Sequence, residues 1–594
     1  MKKSKYLSYT IAAVVAAAVA TGCNKLDEYN PGGTSPESVF TTPAGFVTVV
    51  NGAYREIHEW YGIEDGALLT EGGTDLWYNA GRSNYTNGIT RYEGLTPSAV
   101  STVTNAWKSA WAGIDLCNEG ISHIDGAGFT DSTEKAKRLS ELKFLRALYY
   151  YHVVEQFGGV MLRTTPTTTV DLTATRSTPE QFYDLMISDL LYAKDHLPLS
   201  WGNSVNSEYN RASKKSAMGL LARVYLTRAY YSTGADAQAW FTKARDAALD
   251  VINNKTTLGT DLWSSYAQLF NPSNNKLNKE SLFTVTYSQA NATYNYNGAG
   301  NGNRLYKWYV MKYSDKPGLQ LDTAYGYDNE QRLMPTWHLL DLYNETIDGR
   351  YAASFQEVWL ANKSYTWAKT DTGAKGAWYK DPSVFGKTIN IGDTAMYITK
   401  GTLDNKASRK YLAYDRNDTY VGAVPGSPAL IDPLADTKSN FKFFVSCKKF
   451  FDNSRTKTTD AGYNDIFVIR LAEMYMIAAE ADFQLGDNVN AAAMINVLRT
   501  RAAKSSATVA AMQIQPSDVT LQFILDERAR EFAGEIQRWY DLKRVFRGSD
   551  FADYIKKYNP DITAVQGYHR LRPIPQAEVN ALLNFDEFKQ NDGY

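Results

Sequence analysis

Histidine, cysteine and net charge are all scarce in this 594-residue chain, and each scarcity removes a class of function. The six histidines, at 58, 123, 152, 196, 338 and 569, show no metal-ligand spacing, and there is no HExxH and no CxxC. No metal site or cofactor is therefore expected. Lys+Arg totals 63 against 64 Asp+Glu, so no net field steers a polyanion; this argues against nucleic acid as a partner, since phosphate binding leans on clustered Lys and Arg. A GxSxG nucleophile elbow and a GxxxxGK[ST] phosphate loop are both missing. Gly298, Gly300 and Gly302, in "GAGNGN", open no amphipathic helix and supply loop freedom instead. Three cysteines make no disulfide framework: beyond Cys23 only Cys117 and Cys447 remain, 330 residues apart and free to pair only in an oxidising compartment. His152, inside "RALYYYHVV", reads as a hydrogen-bonded core histidine.

What the chain has in excess is tyrosine, 41 of them, each with an apolar face and a polar tip. Its N-terminus, "MKKSKYLSYTIAAVVAAAVATGCNKLDEYNPGG", gives the compartment. Lys2, Lys3 and Lys5 form a basic start, and the apolar run Ile11–Ala20 is too short for a membrane span of about 20 residues. The segment resembles a bacterial lipoprotein signal, with cleavage after Gly22 and lipid attachment at Cys23; Ala20 stands where Leu is commoner. Lys25, Asp27 and Glu28 resemble an acidic signal for sorting to the outer surface. Residues 1–22 are thus expected to be removed, and 23–36, rich in Asn, Gly, Pro and Ser, to act as a lipid-anchored tether.

From 37 to about 255 helical spacing dominates. The segment 134–157 carries Leu142, Leu145 and Tyr149 at helical spacing, is apolar on nearly every face from Phe144, and ends at Gly158-Gly159. Segment 212–231 and "AWFTKARDAALDVI" follow as a helical pair. Alternating helices of this composition have the look of tetratricopeptide-like hairpins, each burying a face on the next. Between about 256 and 464 Gly, Asn, Asp, Thr and aromatics prevail, with short strand-like pieces ("SLFTVTY", "AMYITK") and one helix expected at 333–347. Helical texture returns at 465–502 and 518–547. The reading is a mainly α fold: one unit, 37–594, with a helical-hairpin scaffold (about 37–255 and 465–594) and a long loop-rich, ligand-facing insertion (about 256–464). Loops this long exceed mere connections.

The C-terminal third carries a family pattern: "VIRLAEMYMIAAEADFQLGD" (468–487), "AAAMINVLRTRAA" (491–503), "ILDERAREFAGEIQRWYDLKR" (524–544), "LRPIPQAEV" (571–579) and the terminal "KQNDGY". With "NPGGTSPESVFTTPAGFVTVVNGAY" (30–54), "LKFLRALYYYHVVEQFGGV" (142–160) and "RLMPTWHLLDLYNETIDGRY" (332–351), the chain resembles the SusD/RagB family of outer-membrane lipoproteins nearly end to end. Asp592, in place of a usual Pro, and Met161-Leu162 depart from the pattern at structural positions. The resemblance implies a SusD-like fold and a cell-surface lipoprotein that captures glycan and passes it to a TonB-dependent transporter of the SusC type.

Glu527, Glu531 and Glu535 lie four apart, on one helical face, and paired carboxylates are the equipment of a glycosidase. Arg528, Arg530, Arg538 and Arg544 are interleaved with them, and guanidinium groups lower carboxylate pKa values where a general acid needs them raised. Ion pairs are the expected use, and no enzyme is expected. For glycan, flat aromatics with short polar neighbours are required: the sugar's C–H face stacks on a ring while amides, carboxylates and guanidinium groups satisfy its hydroxyl rim. Two stretches fit, "TDLWYNAGRSNYTNG" (74–88) and "TYNYNGAGNGNRLYKWYV" (293–310). They nominate Asp75, Trp77, Tyr78, Asn79, Arg82, Tyr294, Tyr296 and Trp308 as ligand-binding residues. A surface glycoside hydrolase, a peptide-capturing relative and a protein-only scaffold stand as alternatives. "YDRNDTY" (414–420) hints at a structural calcium but matches no EF-hand spacing.

Overall fold

In the computed structural model, which describes residues 39–81, 83–204, 208–289, 295, 302–368, 382–401, 403, 408–416 and 444–594, helices form where caps and apolar spacing place them. Cys23 and the tether lie outside these residues. The scaffold comprises α1 (Pro43–Glu56), α2 (Glu64–Thr70), α3 (Asn84–Thr90), α4 (Ser101–His123), α5 (Ser132–Phe157), α6 (Pro179–His196), α7 (Lys214–Ala229), α8 (Gly234–Asn253), α9 (Leu471–Gln484), α10 (Asn488–Ala502), α11 (Leu521–Phe532) and α12 (Arg538–Val545). On α5, the Asp131 side chain accepts from the Thr133 amide at 2.8 Å, and Gly158 takes φ 73°, a left-handed turn that closes the helix. Thr178 and Gln181 cap α6 reciprocally, with Pro179 in its first turn.

The helices α4 to α10 pack each on the next in chain order, so α8, before the insertion, lies directly against α9, after it. The mainly α, hairpin-stacked architecture read from the sequence is what the structure has. Helix α5 is buried on every face from Leu145 to Phe157, as its continuous apolar run requires. Bidentate bonds from Arg146 to Asp189 (2.8 and 3.0 Å) tie it to α6.

The insertion leaves and returns through a two-stranded neck. Strand β2 (Ser281–Val285) pairs antiparallel with β7 (Ile466–Arg470), placing Ile466 opposite Val285 and Arg470 opposite Ser281. Within the insertion β5 (Thr394–Thr399) runs between antiparallel β4 (Val358–Leu360) and parallel β6 (Leu412–Asp415). Strand β1 (Trp77–Tyr78), from the scaffold, pairs with β3 (Met334–Pro335), from the insertion.

Two expectations are corrected. The helix at 333–347 is β3 followed by a short helix, Trp337–Asp341, because Pro335 lies in the strand and Thr336 caps a new start. Glu535 does not share a helical face with Glu527 and Glu531. Helix α11 stops at Phe532, and Gly534 (φ 78°) and Ile536 (φ 64°) turn the chain into α12.

Cys117 and Cys447 are free and both buried. No helix among the described residues is long and apolar enough to cross a membrane. His152 is a core residue as read: stacked on Trp60 at 4.3 Å, with Nδ1 and Nε2 at 2.7 and 3.1 Å from the hydroxyls of Tyr540 and Tyr61. Burial holds its pKa well below 6.5, and burial pushes His338 and His569 down to about 4. The unfolded chain therefore takes up protons below 6.5 that the folded chain refuses, so their contribution is full above 6.5 and declines as pH falls toward 4. Burial of Glu71 and Asp482, raised to about 7 and about 6, works the other way over the same range. With three histidines against two carboxylates, a melting series from about pH 7 to about pH 5 is expected to show a falling melting temperature, and a rising one would contradict that balance.

Candidate functional site

The residues nominated from the sequence are mostly foundations. Asp75, Trp77, Tyr78, Asn79 and Trp308 are all buried, so none offers a face to a ligand in this structure. Asp75 accepts from Arg538 Nε and Nη2 at 2.8 and 2.6 Å, fastening the segment before β1 to α12. Trp77 donates from Nε1 to Glu71 Oε2 at 2.8 Å and meets the Tyr309 ring edge-on at 4.9 Å. Glu71, pushed up to about 7 by burial, keeps that bond and an amide bond from Gln537 at 2.9 Å. Asn79 donates to the hydroxyls of Thr86 and Thr90 on α3, at 2.7 and 2.9 Å. Trp308 follows a tight turn at Leu305–Lys307, and its carbonyl accepts from Leu333 at 2.9 Å. Long-range partners draw Asp75 and Trp77 inside, Arg538 for the one and Tyr309 for the other, while Glu71, Thr86 and Thr90 satisfy Trp77 and Asn79 locally. Tyr306 and Tyr309 are buried as well, with the Arg455 guanidinium 3.7 Å above the Tyr306 ring.

Arg82, Tyr294 and Tyr296 lie outside the described residues, but their neighbours are placed. Gly81 donates to the Gln331 carbonyl at 2.9 Å, and a side chain at Gly81 would run into the Glu330 carbonyl. Asn295, between the two tyrosines, is buried and exchanges bonds with the Ser288 backbone at 2.9 and 2.6 Å. Asn303 bridges Gly462, and Arg304 donates from its amide to the Gly62 carbonyl at 2.9 Å. Gly81, Ser83 and Arg304 thus meet in one place, beside Gly62–Glu64 and Glu330–Arg332.

That place is a surface platform. Arg332 is its centre: Nε donates to Glu64 at 2.6 Å, Nη1 to the Ser83 hydroxyl at 3.0 Å, and Nη2 pairs with Glu330 at 3.0 Å. To one side, Tyr85 on α3 is exposed (39 %) and donates to Asp65 at 2.5 Å, which fixes its ring. To the other, the half-buried Tyr327 has the Lys307 ammonium 5.2 Å from its ring centre. Burial and the neighbouring Arg304 push the Lys307 pKa down, with Glu330 opposing. Burial raises that of Glu64, with Arg332 opposing. Both carboxylates are bound to one guanidinium, so they serve as fixed acceptors among fixed donors. Tyr85, Lys307, Tyr327, Glu330 and Arg332 were not singled out from the sequence. Tyr85 lay inside a nominated stretch but was passed over for the larger Trp77, and Arg332 lay in a segment read only for its family pattern.

The carboxylates weighed as a catalytic set are elsewhere and occupied. Glu527 is held by Arg350 (2.9 Å), Arg499 (2.9 Å) and Arg530 (2.7 Å). Glu531 is held by Arg350 and Arg470 (both 3.2 Å) and by Arg501. Lys449 (2.9 Å) and Arg470 (2.6 Å) hold Glu535. Ion pairing is their use, although only Arg530 among these partners is local. Among the described residues no group of His, Cys, Asp and Glu could hold a metal ion, and "YDRNDTY" runs beyond them at 417–420.

Comparison with known proteins gives the same picture from end to end. The family described as "SusD family" matches residues 266–594, more than half of the chain, and one described as "Starch-binding associating with outer membrane" matches 69–226. The chain is 25 % identical to SusD-like protein P2 of Formosa agariphila, over 99 % of each. It is 24 % identical to the starch-binding protein SusD of Bacteroides thetaiotaomicron, over 83 % of this chain and 79 % of that one. A solved laminarin-binding SusD-like protein superposes with a TM-score of 0.63 at 20 % identity, covering 93 % of this chain and all of the other.

Proposed function

The chain belongs to the SusD family, and from that premise we propose that it is a non-catalytic, cell-surface lipoprotein that captures an oligo- or polysaccharide on the Arg332 platform. The observation that carries this reading is the platform's make-up: two accessible tyrosine rings, Tyr85 and Tyr327, flank a fixed guanidinium, an ammonium and two carboxylate acceptors. A pyranose ring presents an apolar C–H face and a hydroxyl rim, and this surface answers both. Preorganisation by Asp65, Glu64 and Ser83 limits the ordering cost on binding. Arg82, Tyr294 and Tyr296, nominated from the sequence, stay candidate contacts for the same ligand. The five buried residues support the platform from below.

In this reading Cys23 carries the lipid that holds the protein at the outer membrane, and a SusC-like TonB-dependent transporter receives the captured glycan. Relatives named for starch and laminarin binding support the carbohydrate class.

Affinity electrophoresis in gels cast with single polysaccharides tests the proposal. Retardation by at least one glycan is expected, weakened about tenfold in Arg332→Ala and in Tyr327→Ala, as loss of a charge-assisted hydrogen bond or a stacking face implies. Tyr327→Ala should keep the wild-type melting temperature. Free migration through every gel, or retardation unchanged in both variants, would count against the platform.

A further inference from the structure

Near the platform lies a groove of about 710 Å³ whose walls come from the segment before the neck (265–272), from the insertion and from the end of α10. Its lining has a one-sided charge. Lys448, Arg501 and Lys504 face it, and no Asp or Glu does among the described residues. Arg501 is already neutralised by Glu280 at 3.0 Å and by Glu531. The two lysines have no such ion pair, although Glu357 lies within electrostatic reach of Lys448. Lys504 is exposed and donates only to the Glu345 carbonyl, at 3.0 Å, and neither lysine has a carboxylate within 4.0 Å among the described residues. Two half-buried rings, Phe270 and Phe451, and the amides of Gln356 and Asn453 share the same walls.

The groove and the platform meet across one short strap. Ala324 lines the groove, while Tyr327, three residues on and so within about 10 Å, stands on the platform. A side chain added at Gly326, between them, would sit 2.8 Å from the Tyr306 carbonyl and 3.4 Å from the Phe451 ring. Arg455 fixes the strap by donating to the Thr323 carbonyl at 3.3 Å.

We propose that this groove is a second subsite, which takes an acidic stretch of the carbohydrate chain held on the platform. Uronate carboxylates or sulfate esters meet Lys448 and Lys504, and sugar C–H faces lie on Phe270 and Phe451. Charge complementarity and continuity with the platform favour an acidic carbohydrate, which brings charge and ring C–H faces on every residue, over a run of Asp and Glu, which brings charge alone. The inference rests on the carbohydrate reading of the platform and adds to it a charge class.

Isothermal titration at low and high salt tests it on the full chain, with polygalacturonate against its methyl-esterified form and a sulfated galactan against its desulfated form. At least one acidic polymer should bind about tenfold more tightly than its neutral counterpart at low salt, an advantage that salt erodes. Which acidic arm responds identifies carboxylate or sulfate. The paired change Lys448→Gln with Lys504→Gln should remove the advantage. Ala352→Glu, at an exposed groove position, should do so without touching a buried side chain. Arg332→Ala should weaken acidic and neutral forms alike. Equal binding of acidic and neutral polymers, an advantage that survives both groove variants, or competition by polyglutamate as strong as by the acidic glycan, would each overturn the subsite and leave the platform standing. Failure of every carbohydrate to bind would overturn both.

Discussion

Glu531→Ala is expected to destabilise the protein by about 3–5 kcal/mol, the usual consequence of removing one partner from a buried ion-pair network. Glu531 is fully buried and takes bonds from Arg350, Arg470 and Arg501, which come from the insertion, the neck strand β7 and α10 respectively. Without it, three guanidinium groups share the remaining carboxylates Glu280, Glu527, Glu535 and Asp348, and part of their desolvation goes uncompensated. Burial alone would raise the Glu531 pKa, but the three arginines pull it down to about 2. A folded pKa below the ordinary 4.5 means that this stability is present above 4.5 and is lost as pH falls from there toward 2. Urea denaturation at neutral pH should show a lower midpoint for the variant, and the gap to wild type should narrow in acid. A midpoint unchanged at neutral pH would mean that the neck is held by packing alone.

Trp77→Ala should act on the fold before it acts on any ligand. A large indole that is 1 % exposed, edge-on to Tyr309 and bonded to Glu71, leaves a cavity and a buried carboxylate with one donor fewer. Deleting such a side chain costs about 3–5 kcal/mol. Because β1 pairs with β3, the loss is also expected to loosen the Gly81–Gln331 contact and the platform above it. The distinguishing result is a lowered melting temperature together with weakened glycan binding. Tyr327→Ala, by contrast, should weaken binding at an unchanged melting temperature. Trp77→Ala with native stability and no binding would restore the indole as a ligand contact.

The same two sites show what could be read in the sequence and what could not. Helix α5 was legible because its information is local: apolar spacing and a Gly pair that stops it. The use of Glu527 and Glu531 was legible from charge pattern, although their partners Arg350, Arg470, Arg499 and Arg501 required the tertiary fold. The place of Trp77 and Trp308 was not legible. Aromatics among Asn and Gly suggest exposed rings, but Tyr309 and Glu71 pair with Trp77 inside, and Leu333 ties down the Trp308 backbone. Arg332 escaped notice because its meaning comes from Glu64 and Ser83, about 250 residues away in sequence. Spacing along a chain encodes helix faces well and loop-to-loop contacts hardly at all.

The most direct test of the central claim, that the exposed platform and not the buried rings takes the glycan, is amide hydrogen exchange with and without the polysaccharide that retards the protein in gels. The account predicts added protection in 81–85, 302–307 and 325–332, with the Trp77–Tyr78 amides, already buried in β1, unchanged. Protection confined to the outer faces of the helical hairpins, with the platform segments unaltered, would contradict it.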